Sequence, residues 1–174
     1  NDMIFLPANI IKPTYNDLYT TLIHEQIHVL QRKNPLIFAE LYLKLGYVYI
    51  DTIRIPEYIE KYRLTNPDGL HINWVYKLND SLFLPLLMID ENNTDNLSQK
   101  GLFLQKNKKY YEPVLHNEKA DLINIKQHQD FYKRFKGSRG LYHPNELVAH
   151  SFTDYYIDKK SINRDLQIFF EQQF

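Results

Sequence analysis

Cysteine is absent from the 174 residues, which removes disulfides, thiolate metal sites and a cysteine nucleophile together. Apolar runs are short. None approaches the roughly 18 residues a membrane-spanning helix needs, and Ile4 to Leu6 is too brief for the core of a signal peptide. Net charge is lacking too: 21 Lys and Arg balance 21 Asp and Glu, so no global field draws the chain to nucleic acid or to an anionic membrane. We therefore expect neither a nucleic-acid partner nor a membrane one. The basic stretches Lys106 to Lys109 and Lys133 to Arg139 read as solvated surface. The chain starts at Asn1 rather than Met, so a trimmed chain or a fragment is expected. Compartment and oligomeric state stay open.

What is plentiful is aromatic surface, 14% of residues with 14 Tyr, inside an apolar fraction of 44%. That is enough for one domain over residues 1–174 with a real core, and too little chain for two. Asn16 and Asp17 offer caps to a helix from Leu18 to Lys33, stopped at Asn34-Pro35. Pro35 then opens a second helix to Leu45, ended by Gly46. A short helix is expected at Glu57 to Tyr62 and a turn at Asn66 to Gly69. Alternation from Ile72 to Leu78 predicts a half-buried strand, and the apolar run Leu82 to Ile89 another, with Pro85 arguing for a sheet edge or a break.

Asp90 to Ser98 reads as an exposed loop, with short strands at Leu102 to Gln105 and Tyr110 to Leu115. Helical spacing returns from Ala120 to Phe135, is broken at Gly137 to Gly140, and resumes at Pro144 to Tyr156 and Ser161 to Phe170. The fold class expected is α+β, with a small antiparallel sheet lying in sequence between two groups of helices.

The sequence His24-Glu25-Gln26-Ile27-His28 carries the chemistry. Two His four apart on a helix project from one face, so both imidazoles can reach one metal ion at roughly 2.0–2.1 Å. Glu25 beside them can hold the water and take its proton, the division of labour in HExxH metallopeptidases. On a helical wheel Leu18, Tyr19, Leu22, Ile23, Ile27, Val29 and Leu30 form an apolar arc. His24, His28, Thr21, Asp17 and Gln31 share the other, so the His pair is not expected in the core. Gln26 falls in the apolar arc and would need a buried partner.

A third ligand is needed. The metzincin continuation is excluded, because Gln31 and Asn34 stand where it requires Gly and His. Instead Asn145-Glu146-Leu147-Val148-Ala149, taken with the first motif, resembles the gluzincin, thermolysin-like metallopeptidases. The resemblance covers these two short motifs only. It implies a zincin-like domain and a Zn2+ site of His24, His28 and Glu146, with Glu25 as general base and a peptide or protein as substrate. The family's Asp four residues after its ligand Glu is replaced here by His150, which could bond to a ligand or serve as one, while Asp154 could restore the carboxylate. His143 is the first choice for the donor that stabilises the developing oxyanion, with Tyr142 and Tyr155 as alternatives. Two other readings remain: a zinc amide or ester hydrolase that is not a peptidase, and a non-catalytic zinc-binding interaction module.

Overall fold

A computed structural model describes residues 15–64, 73–90 and 93–174. The chain begins with helices α1 (Tyr15–Lys33) and α2 (Pro35–Lys44). Asn16 and Asp17 lie inside α1 and do not cap it at Leu18 as expected. Pro35 opens α2, and Gly46, at φ +94°, turns the chain out of it. A side chain at that backbone angle would be strained, and its Cβ would stand 3.0 Å from the Tyr76 ring.

Strand β1 (Tyr47–Tyr49) follows, then α3 (Glu57–Glu60), β2 (Arg63–Leu64), β3 (Trp74–Leu78), β4 (Ser81–Asp90), β5 (Asn93–Asn107) and β6 (Tyr110–Pro113). The main sheet runs β1-β3-β4-β5-β6, with antiparallel pairing throughout. The expected meander is therefore present, and α and β parts share one fold. The turn expected at Asn66 to Gly69 lies outside the described residues. Asn79 takes the left-handed conformation (φ 49°) that a tight β3–β4 turn demands.

Two expectations fail here for physical reasons. Asp90 to Ser98 is not an exposed loop: β5 begins at Asn93, and Ser98 pairs with Met88. Its polar residues belong to a strand whose local composition hides it. Nor does Pro85 end β4 or mark the sheet's edge. It pairs with Gly101 on β5, between the stretch of β4 that meets β3 and the stretch that meets β2, so its missing N–H falls where the other side has no partner in register.

Small strands β7 (Leu115–His116), β8 (Lys119–Ala120) and β9 (Ile123–Asn124) and a 3₁₀ turn (Ile125–Gln127) lead into α4 (Gln129–Arg134). The continuous helical stretch expected from Ala120 to Phe135 is thus mostly strand and turn. α5 (Pro144–Tyr156) and α6 (Arg164–Gln173) complete the chain.

Both faces of the sheet are covered, which is why its strands are more apolar than simple alternation predicts. Tyr47, Tyr76 and Phe83 face the helices, packing with Phe131, Phe135, Leu147 and Phe170. Val75, Leu84, Leu86, Met88, Leu102 and Leu104 face the other way, against Ile59 of α3. Gly101 lets β5 approach this packing, because a Cβ there would stand 2.2 Å from Phe83 Cζ. Among the described residues no helix is long and apolar enough to cross a membrane.

Candidate metal centre

Eight polar or charged residues are buried among those described: His28, Gln31, His143, Asn145, Glu146, Ser151, Thr153 and Asp154. Every one lies on α1, on α5 or at the residue that caps α5. The arc of α1 expected to face solvent is the arc that packs on α5, and Tyr19 and Leu22 of the apolar arc are the exposed ones, at 47% and 38%. Gln26 is exposed and needs no buried partner. An amphipathic wheel gives two faces but not which one the fold covers, and here polar faces of two helices cover each other.

α5 is positioned for this by its start. Pro144 occupies its first turn, and His143 caps it, the His143 Nδ1 accepting the Asn145 N–H at 3.2 Å. In the neutral ring that leaves the proton on Nε2. The turn before it contains Gly140 at φ +65°, where a Cβ would lie 2.7 Å from both the Glu146 backbone carbon and the His150 ring. Glycine is thus required for the loop to lie against this part of α5.

Glu146 enters the α1–α5 interface opposite the two His of α1. His24 Nε2 is 3.4 Å from Glu146 Oε2, His28 Nε2 is 3.3 Å from Glu146 Oε1, and the two Nε2 atoms are 3.1 Å apart. Three ligands at about 2.0–2.1 Å on a tetrahedron would be separated by about 3.3–3.4 Å. Each of these separations is close to that spacing, although the two His meet different oxygens of Glu146, and these three residues form a group that could hold a metal ion. Burial works against the Glu146 carboxylate, yet hydrogen bonds and charge from His24 and His28 hold it well below the usual carboxylate range.

Gln31 fixes one of the rings. His28 Nδ1–H donates to Gln31 Oε1 at 2.8 Å, and Gln31 Nε2 donates to the Asn145 carbonyl at 3.0 Å. The Nε2 lone pair of His28 is thereby turned to the centre, and the ligand helix α1 is tied to α5 through the same amide. On the wheel Gln31 was only one more polar residue of the His face. Its spacing three residues after His28 is the signal that could have found this role.

Two residues expected near the ligands take different parts. Asp154 is buried, but its Oδ1 accepts from Arg139 at 2.8 Å and from Lys160 at 2.9 Å, so its carboxylate anchors the loop before α5 rather than a ligand His. His150 stands at the rim. Its ring centroid is 4.4 Å from that of His24, and its Nε2 is 3.9 Å from Glu146 Oε2. Burial, then the charges of His24 and Arg139, push its pKa down to about 4, so the ring is neutral at neutral pH. Glu25 follows His24 on α1 and is half-buried. Tyr155 is turned away, donating to Glu171 at 2.7 Å.

An open cleft of about 760 Å³ has His150 in its wall. Tyr142 and Gly140 form its near wall with His150, and Leu97 to Gln99 of β5 and Asn124 to Lys126 form parts of the others. Comparison of the chain with known protein families, curated proteins and solved structures finds no match.

Proposed function

We propose that this chain binds one zinc ion through His24, His28 and Glu146 and hydrolyses peptide bonds with Glu25 as general base, as a zincin-like metallopeptidase. The observation that carries the reading is the convergence of the three side chains: the two Nε2 atoms are 3.1 Å apart and each lies 3.3–3.4 Å from one of the two Glu146 carboxylate oxygens, spacings close to those between neighbouring ligands of one zinc ion. Two nitrogens and one carboxylate oxygen also form the ligand chemistry zinc takes in catalytic sites, and a three-ligand set leaves one position open.

A zinc ion bound there supplies a positive pole that polarises a substrate carbonyl and makes water acidic near neutral pH. The chain's own groups do the rest. Glu25, next to a ligand on the same helix, accepts the proton of the attacking water as its oxygen bonds to the carbonyl carbon. It then returns that proton to the amine nitrogen as the carbon–nitrogen bond breaks, so that a carboxylate and an amine leave. His150 and Tyr142 at the cleft wall, and His143 at the start of α5, are the neutral residues we assign as candidates to donate to the carbonyl oxygen as negative charge develops on it.

The position of His150 favours one second reading, a closed zinc site in which it is a fourth ligand and no water position remains. Metal analysis of the purified chain by elemental mass spectrometry tests both. About one zinc per chain in the wild type and in Glu25→Gln, with little in Glu146→Ala, is the expected pattern, together with peptide cleavage by the wild type alone. A chain that stays metal-free after zinc is supplied sinks the proposal. If His150→Ala loses zinc as completely as Glu146→Ala and the wild type cleaves no peptide, the closed site stands instead.

A further inference from the structure

The cleft that His150 helps to line has charged residues of one sign in its wall. Lys126 and Arg139 both line it, and no Asp or Glu is among the described residues of its wall, in a chain whose charges sum to zero. Lys126 lies exposed on the 3₁₀ turn. Arg139 is half-exposed, and of its five N–H donors the structure uses one on Asp154 at 2.8 Å. That carboxylate also meets Lys160, which pairs with Asp158 at 2.7 Å, so Arg139 is balanced from outside the cleft wall and Lys126 carries most of the wall's net positive charge.

The same cleft carries unmet backbone capacity. On its outer side β5 pairs with β6 from Asn107 to Leu104 and with β9 at Gly101 and Lys100. There the pairing in register stops. Among the described residues Leu97, Ser98 and Gln99 pair with β4 only, at Ile89, Met88 and Leu87, and all three line the cleft. A strand edge left open inside a cleft is a template for an extended chain.

We propose that this cleft binds an extended acidic peptide, its backbone along the open edge of β5 at Leu97 to Gln99 and its carboxylates toward Lys126 and Arg139. The proposal rests on the hydrolase reading only in that His150, which lines the cleft, stands beside His24 of the proposed metal centre; the charge and the open edge are independent of any metal. It gives the reaction a substrate class, peptides rich in Asp or Glu near the bond that is cut.

The test is fluorescence anisotropy of three labelled peptides of equal length, one acidic, one uncharged and one basic, with the full-length Glu25→Gln chain, zinc-supplied and zinc-free. The acidic peptide should bind roughly threefold or more tighter than the uncharged one at low salt, with the advantage fading as salt rises. Lys126→Ala should remove much of that advantage and Lys126→Glu should abolish it. Because Lys126 is exposed, both variants are expected to fold, which circular dichroism checks. Equal binding of all three peptides, preference for the basic one, no binding at all, or indifference to Lys126→Glu each overturns the proposal. Acidic preference without zinc uptake or cleavage leaves this inference standing and removes the hydrolase; cleavage without charge preference does the reverse.

Discussion

The two sides of this molecule are packed by opposite means. Beyond the sheet, Val75, Leu84, Leu86, Met88, Leu102 and Leu104 meet Ile59 in a cluster without a polar side chain. Between α1 and α5, by contrast, two imidazoles, a carboxylate, a primary amide and an Asn are shut in together. The first kind of packing is driven by removing apolar area from water at about 25 cal/mol per Å². The second costs desolvation that hydrogen bonds only partly offset, so it contributes little stability for the space it takes. An interface that expensive, held in place by an apolar one on the other side of the same sheet, is the mark of a site, and it teaches where to look when no relative is at hand.

Substitutions on each side should separate the two. Leu84→Ala should cost about 2–5 kcal/mol in urea unfolding and leave the zinc content per folded molecule unchanged. Glu146→Leu should do the reverse, lowering zinc affinity more than about 100-fold in a competitive chelator titration while the metal-free chain loses little stability or gains some. Equal effects of the two on zinc would erase the distinction.

Gly140→Ala comes next. It forces a Cβ against the Glu146 backbone at an unfavourable φ, so about 1–3 kcal/mol of stability should go, with a drop in zinc affinity. Unaltered metal binding in that variant would mean that the loop is free to move away from α5. Gln31→Ala should weaken zinc binding about 10–100-fold through loss of the bond that orients His28, whereas the exposed Gln26→Ala, on the same helix, should stay within about 0.5 kcal/mol of the wild type in every measurement.

Acid should act on the polar interface alone. His150 has its folded-state pKa pushed down to about 4, below the value near 6.5 of a free imidazole. The unfolded chain therefore binds a proton that the folded one refuses between those limits. Its contribution to the stability of the metal-free protein is complete above about pH 6.5 and is lost as pH falls toward 4, by about 3 kcal/mol. Glu146, also held low, adds a loss of the same sign at still lower pH. Urea midpoints measured from pH 7 to 4 should fall in the wild type and fall less in His150→Gln; parallel curves would show that the ring titrates alike in both states.

Much of this was legible in advance where one residue decides local geometry. Pro35, Gly46, Pro144 and the His24 to His28 spacing each mark what the structure contains. What could not be read from local pattern depends on partners distant in sequence. β1 is only three residues long, and its alternation is too brief to stand out. The polar start of β5 takes its conformation from β4. Above all, the polar arcs of α1 and α5 look like solvated surface until the two helices are set face to face.

The Gln31 amide reaches Asn145 across 114 positions of chain, and the sheet is made between them. On the proposed reading neither α1 nor α5 alone holds all of His24, His28 and Glu146, so no early helical fragment would capture the ion. The centre can assemble only after the strands have brought its halves together, and occupancy then reports on the whole fold. A cell that supplied zinc would be stabilising only finished molecules, and a protease that cut the chain anywhere in the sheet would leave two pieces with no metal affinity beyond that of a lone histidine pair.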